Sequence, residues 1–287
     1  IHQLMRNILD NPSSVLDIMH DVAKTEIMSR FRALAKDDIS EKSPGDLVTI
    51  ADQESERAFG ERLPSLIPGS QLLGEEGFEA NPETLQALAG DAPVWIVDPV
   101  DGTFNFAHGK SPFTVIVALV QHNQTKAGWI LDPLTGEAVW AIEGEGAYAL
   151  TDIGDTPSKI VRTTKDYAAT KLTAGIKLRK RFERAADAMD DAILPTIVER
   201  YRCVGREYMD IALGTIDHAR YGSKLKPWDH AAGCLIVREC GGRADHIDSQ
   251  TPYTAEPDIG WRTIGITGNA DHWKDWQSLV SQADSYV

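Results

Sequence analysis

The chain has 287 residues, 42% of them hydrophobic, enough to bury one large core or two fused ones. Its 29 basic and 43 acidic side chains leave a formal charge of −14, which repels phosphate backbones and argues against duplex nucleic acid as a partner. No stretch approaches the roughly 18 uninterrupted apolar residues of a membrane span, and three cysteines without a Cys-x-x-Cys pair suit free thiols in a reducing cytoplasm.

Residues 1–7 show neither the charged start nor the apolar run of a secretory leader, the pattern expected of a cytoplasmic chain. From 14 to 35, Val15, Ile18, Met19, Val22, Ile27, Phe31 and Leu34 recur at three- and four-residue steps, which predicts a helix. Ser43-Pro44-Gly45-Asp46 reads as a turn, followed by a helix from about Ala51 that stops before Pro64. Between 70 and 150 the texture becomes short β-rich runs at 71–74, 94–97, 114–120, 128–131 and 138–142, the last two joined by a hairpin at 132–136. Beyond Pro157 a strand is expected at 172–176 and a charged helix at about 179–193. A helix after Gly205, a loop, and a helix from about Asp229 to Cys240 follow, then a strand at 263–267 and a last helix after Asn269. Two halves are expected: 1–157 with most of the acidic motifs, and 158–287 with Asp229 and a wall of the substrate pocket.

Three acidic spots lie where a strand or loop gives way to a helix or turn: Leu73-Gly74-Glu75-Glu76-Gly77, Val97-Asp98-Pro99-Val100-Asp101-Gly102-Thr103, and Lys226-Pro227-Trp228-Asp229. Such ends let ligand groups converge without disturbing a core. Asp98 and Asp101 flank a proline turn that can present two carboxylates and the Val100 carbonyl to one hard cation, Mg²⁺ or Mn²⁺ rather than zinc. Gly102 lets backbone approach a ligand, and the amides after it suit an anion, which together point to phosphoryl chemistry. Taken alone, Asp-Pro-x-Asp-Gly reads as an ordinary tight turn, since Asp, Pro and Gly are the common turn formers.

The longer pattern decides between these readings. Asp98-Pro99-Val100-Asp101-Gly102-Thr103-x-Asn105-Phe106 resembles one signature of the inositol monophosphatase family. Trp228-Asp229-x-Ala231-Ala232-Gly233, running into Glu239-x-Gly241-Gly242, resembles the second. Gly74-Glu75-Glu76 and Asp46-x-Val48-Thr49-x-x-Asp52 fit two upstream elements in order. The resemblance implies a layered α-β-α-β-α sandwich, a homodimer, and hydrolysis of a small phosphate monoester such as inositol 1-phosphate with two or three Mg²⁺ ions and sensitivity to lithium. It places Glu75, Asp98 and the Val100 carbonyl on a first metal, Asp98, Asp101 and Asp229 on a second, and Glu75 again at a weaker third. Asp52 and Thr103 match the pair that orients the attacking water, and the amides of Gly102 and Thr103 match phosphate contacts. Asp229, Arg206 and Glu207 fall where the family touches the rest of its substrate.

Departures sit in that last region. The family's ring-binding glutamate, seven residues before the Trp-Asp aspartate, is replaced by Gly222, and a usually small, uncharged stretch reads Gly205-Arg206-Glu207-Tyr208. Arg206, Lys224 and Lys226 therefore either make the pocket rim basic or point to solvent or a dimer contact. A basic rim would suit fructose 1,6-bisphosphate or a nucleotide bisphosphate. Some bacterial relatives also act as accessory factors in ribosomal RNA transcription, a binding role that these motifs do not exclude. His230, Cys234, Cys240 and Trp228 are expected to pack, Glu76 to stay outside the ligand set, and the basic run 177–181 to form a solvated face.

Overall fold

The computed structural model describes residues 2–152 and 154–286; positions 1 and 287, the outer ends of the two expected halves, lie outside them. Helix α1 (His2–Asp10) leads to α2 (Ser13–Val22), which runs on into a π-helical turn at Ala23–Met28. Strands β1 (Ile39–Ser43) and β2 (Asp46–Thr49) form a hairpin that turns at Gly45, where φ is +83°. Helix α3 (Ile50–Leu66) starts in a capping box between Thr49 and Asp52. It runs through Pro64, where the sequence predicted a stop. A proline in the last turn forfeits a single internal hydrogen bond, too little to end the helix early.

Strand β3 (Gln71–Gly74) and helix α4 (Glu75–Ala80) come next, then β4 (Val94–Asp101), α5 (Thr103–Ala107), β5 (Thr114–Gln121), β6 (Gln124–Leu131), β7 (Ala138–Ile142), β8 (Gly146–Leu150) and β9 (Ser158–Lys159). The strands β3 to β9 make a seven-stranded sheet in sequence order, parallel at β3–β4 and antiparallel from β4 onward. The second half supplies β10 (Lys171–Thr173), α6 (Ile176–Ala188), β11 (Thr196–Val198), α7 (Val204–Leu213), β12 (His218–Lys224), α8 (Pro227–Glu239), β13 (Arg243–His246), β14 (Trp261–Thr267) and α9 (Trp273–Asp284). Its five strands pair in the order β11-β10-β12-β14-β13.

Strands β4 and β5 are buried at every position because both faces of the first sheet are covered. Trp95, Val97, Val117 and Trp129 face α2 and α3, packing with Val15, Met19, Phe59 and Leu63. Ile96, Ile116, Ala118 and Ile130 face α7 and α8, meeting Met209, Ala231 and Leu235. Gly128 lets α8 lie against β6: a Cβ there would come within 2.6 Å of Ala232 Cα. Beyond the second sheet, α6 and α9 bury Phe182, Trp276, Leu279 and Val280. The order is helix, sheet, helix, sheet, helix, the layered sandwich that the resemblance implied. None of the described helices is long and apolar enough to cross a membrane.

Where the sequence reading expected a loop before Lys226, the structure has β12, the middle strand of the second sheet. Its pattern reads as polar because one face carries His218, Arg220 and Gly222. There His218 Nε2 meets Thr170 Oγ1 at 3.0 Å and Arg220 pairs with Asp284 at 2.9 Å. Neighbouring bounds also shift: the strand expected at 172–176 ends at Thr173, because Ile176 already begins α6, which stops at Ala188.

Candidate active site

Four segments deliver the acidic residues to one place. The capping box at the head of α3 fixes Asp52: its Oδ2 accepts the Thr49 amide and hydroxyl, both at 2.7 Å. Its Oδ1 is thereby left toward Thr103, whose hydroxyl lies 3.1 Å away and also 2.9 Å from the Val100 carbonyl. One hydroxyl proton serves either acceptor, so Thr103 sits between a carboxylate and a carbonyl. Gly102 makes the turn that places it, with φ +90° and no room for a Cβ, which would meet the Pro112 carbonyl at 3.0 Å.

Asp98 and Asp101 end β4, where the pairing with β5 shifts register between them. Asp98 is 2% exposed and accepts the Val100 amide at 3.2 Å. Asp101 is held from the second half by the Val204 amide (3.2 Å) on Oδ1 and by the Gly205 amide (2.6 Å) and the Cys203 thiol (3.1 Å) on Oδ2, which also accepts the Thr114 hydroxyl of β5 (3.0 Å). It therefore caps the start of α7 as well as facing the other acids. Asp229 comes from the first turn of α8, whose Trp228 is buried against Phe78 with ring centroids 5.0 Å apart. Glu75 opens α4 and meets two ammonium groups, Lys42 at 3.1 Å and Lys226 at 3.7 Å. Lys42 also binds Glu76 at 2.7 Å.

The electrostatics of this cluster are those of crowded anions. Burial, then Glu75, Asp101, Asp229 and Asp52 in turn, push Asp98 well above the ordinary carboxylate range. Burial and then Glu75 and Asp101 do the same to Asp229, against the pull of Lys226. Burial raises Asp101 in spite of its hydrogen bonds, and Asp52 rises to about 6 for the same first cause. Burial works against the charge on Lys42, yet Glu75 and Glu76 hold its pKa above the usual lysine value.

Among the described residues no three His, Cys, Asp or Glu side chains form a ready-made ion cage. Glu75 is turned to lysines and Asp101 to amides, so positive charge and N–H donors stand where cations would compete. The donor chemistry nonetheless fits a hard divalent ion: carboxylate oxygens from Glu75, Asp98, Asp101 and Asp229 and the Val100 carbonyl, without a thiolate or imidazole among them.

The other expected contacts lie elsewhere. The Arg206 guanidinium is taken up by Glu137, by Asp210 at 2.5 Å and by Asp132 at 3.6 Å. Glu207 is buried, accepting the Tyr221 hydroxyl at 2.7 Å and the Tyr201 amide at 3.1 Å. Both find their partners inside the protein, since α7 turns Arg206 to the loop before β7 and Glu207 to Tyr221 of β12 and to Arg200, 3.6 Å away. Lys224 is exposed at the end of β12, and Lys226 alone of the three expected cations reaches the acids. Gly222 borders a cavity of about 690 Å³ with Arg181, Arg220, Trp261 and Arg262, a space that includes none of the clustered acids. His230 is buried and meets the Tyr208 hydroxyl at 3.0 Å, a packing role, and burial lowers its pKa to about 3. Sequence reasoning missed Lys42, which no periodicity marks, and Cys203, whose contact with Asp101 spans the two halves. It also missed Glu56, although its place one helical turn after Asp52 was a usable signal.

The model of the inositol monophosphatase family matches residues 13–285. An inositol-1-monophosphatase of Bacillus subtilis is 32% identical over 221 residues, covering 75% of this chain and 77% of that one. A Nus factor SuhB of Pasteurella multocida is 34% identical over 207 residues, covering 70% and 72%. Among solved structures, the Thermotoga maritima IMPase superposes with a TM-score of 0.73 at 21% identity, covering 97% of this chain and all of that one, a likeness of fold. By the family match over nearly its whole length and by its layered fold, the chain belongs to the inositol monophosphatase family, whose members are phosphoric monoester hydrolases.

Proposed function

We propose that the chain hydrolyses a small phosphate monoester in a Mg²⁺-dependent reaction at the cluster of Asp52, Glu75, Asp98, Asp101, Thr103 and Asp229. The observation that carries this reading is the gathering of Asp98, Asp101, Glu75 and Asp229 beside the Asp52–Thr103 hydrogen bond, close enough that the neighbouring acids raise Asp98 and Asp229 above the ordinary carboxylate range. Buried like charges at this density are costly unless cations join them. Bound Mg²⁺ would lower the pKa of a water and offset charge on the leaving ester oxygen. Glu75, Asp98 and the Val100 carbonyl would hold one ion, and Asp98, Asp101 and Asp229 another.

The chain's own part is positioning and proton handling. Thr103 donates to Asp52 at 3.1 Å, so a water donating to the Thr103 oxygen is aimed along one line, and Asp52, with its pKa at about 6, can accept the proton passed through that hydroxyl. The amides of Gly102 and Thr103 support the phosphate. Lys226 and Lys42, next to Glu75, supply positive charge toward the reacting end. Inositol 1-phosphate is the first substrate to try, since the Bacillus subtilis relative is named for it, although Gly222 offers no carboxylate to a ring hydroxyl.

A phosphate-release panel covering inositol 1-phosphate, fructose 1,6-bisphosphate and nucleotide bisphosphates, run with Mg²⁺ and with EDTA, tests this reading. Release of phosphate at equal rates in EDTA, or from no member of the panel, would refute it. Retention of the whole acid set supports catalysis over a purely accessory role of the kind suggested by a relative's name of Nus factor.

A further inference from the structure

One buried acid next to this site takes no part in the proposed mechanism. Glu56 stands in the middle of α3, four residues after Asp52 and therefore on the same helix face. Its Oε2 accepts the amide of Glu76 at 2.8 Å and its Oε1 accepts that of Gly77 at 2.7 Å. These are backbone groups of the first turn of α4, the six-residue helix that Glu75 opens. The amides of a first turn have no partner within their own helix, and a helix this short does not hold itself in place. A charged acceptor gripping two of them fixes both the position and the direction of that turn.

The preceding strand end is shaped for the same contact. A Cβ on Gly74 would lie 2.2 Å from Glu56 Cδ and 2.3 Å from its Oε2. The backbone of Gly74 is extended, with φ −114° and ψ 163°, a conformation open to any residue. Glycine is needed there for space, and the space is filled by the Glu56 carboxylate. The two sides of Glu75 are thus both adapted to one side chain: a missing Cβ before it and two captured amides after it.

The geometry points to Glu56 as the positioning residue for Glu75. Through α3 it ties the strand-to-helix turn that presents Glu75 to the carboxylate of Asp52, setting the spacing between a cation ligand and the water-orienting pair. Lys42 and Lys226 meet side chains, those of Glu75 and Glu76, and not the amides of this turn, so without Glu56 the first turn of α4 loses the acceptor that holds its backbone. This inference rests on the cation chemistry of the proposed function.

The test is Mn²⁺ binding by the full chain, followed by the free-ion electron paramagnetic resonance signal, for wild type, Glu75→Gln, Glu56→Gln and Gly74→Ala. Glutamine keeps the shape of Glu56 but turns an NH₂ donor toward one of the two amides. Gly74→Ala leaves Glu56 in the chain and pushes its carboxylate away, so it reports even if Glu56→Gln folds poorly. Losing a partner that orients a metal ligand costs roughly 10–100-fold in affinity. Both variants should weaken Mn²⁺ binding by that factor and raise the Mg²⁺ concentration for half-maximal turnover in step. At saturating Mg²⁺ the substrate KM should stay within about twofold of wild type. If either variant folds and binds Mn²⁺ as wild type does, losing thermal stability alone, Glu56 is merely a structural cap and the inference is wrong. If wild type binds no Mn²⁺, or Glu75→Gln binds it equally well, the cation reading itself fails and takes this inference with it.

Discussion

The Asp101 carboxylate accepts the Gly205 amide at 2.6 Å across 104 residues of chain. With the Val204 amide and the Cys203 thiol on the same carboxylate, an acid at the end of β4 caps the first turn of α7, a helix that fills the space between the two sheets. Asp101→Asn keeps the shape but replaces an acceptor with a donor. Stability to urea should fall by about 1–3 kcal/mol, the cost of unmade bonds to a buried charged group. Phosphate release should fall with it. A variant as stable as wild type would show that the α7 cap does not depend on this charge.

Asp98→Asn separates the chemistry from the fold. Asp98 is raised by burial and by four neighbouring acids, Glu75, Asp101, Asp229 and Asp52, and accepts a single described backbone hydrogen bond, from Val100. Removing its charge should abolish turnover, while in EDTA the variant should be at least as stable as wild type, because one repelled anion is gone. Near-normal phosphatase activity would sink the assignment of Asp98 to two cations.

The same charge should show in the pH dependence. A carboxylate whose native pKa lies above its unfolded value of 3.8 binds more protons folded than unfolded in the window between the two. Its contribution to stability therefore falls as pH rises through that window, and the penalty is complete above the native pKa. Asp52, raised to about 6, and Asp229 act in the same direction. His218 and His230, which burial keeps neutral, act oppositely below about 6.5, since the unfolded chain then takes up protons that they refuse. Subtracting the Asp98→Asn profile from that of wild type in EDTA removes the histidines. The difference should turn progressively against wild type as pH rises above the unfolded value of 3.8 and level off once Asp98 is fully ionised in the native state. Stabilisation by added Mg²⁺ should grow over the same range as protons cease to compete. A flat difference and a pH-independent Mg²⁺ effect would contradict the cluster's electrostatics.

How much of the fold and the site was legible in the sequence differs by element. Trp95, Val97, Val115 and Val117 announced buried strands because both faces of the first sheet are apolar. Strand β12 was hidden because its buried face is polar, with His218 and Arg220 satisfied by Thr170 and Asp284 from distant segments. Asp98, Asp101 and Asp229 stood out because short motifs carry them at strand and helix ends. Of the partners of Arg206, Asp210 lies one helical turn on and was legible, but Glu137 and Asp132 lie about seventy residues earlier in the chain and reach it only through the packing of α7 on the first sheet. Lys42 was missed for the same reason, being brought to Glu75 by a hairpin across 33 residues.

Those partners change where substrate selectivity should arise. Arg206 is held by Glu137, Asp210 and Asp132, and Lys224 is exposed, whereas Lys226 lies 3.7 Å from Glu75 and feels Asp229 as well. Arg206→Ala should lower stability by about 1–3 kcal/mol, because it strands partly buried acids, yet leave the ranking of substrates unchanged. Lys224→Ala should alter neither. Lys226→Ala should reduce kcat/KM for a bisphosphate relative to a monophosphate by roughly tenfold, the worth of one charge-assisted contact. Because the phosphate being cleaved is common to every substrate, a change confined to this ratio reports on the remainder of the molecule. If Arg206→Ala instead erases the preference while Lys226→Ala keeps it, the guanidinium leaves its three carboxylates when substrate binds, and Arg206 rather than Lys226 forms the selective wall of the pocket.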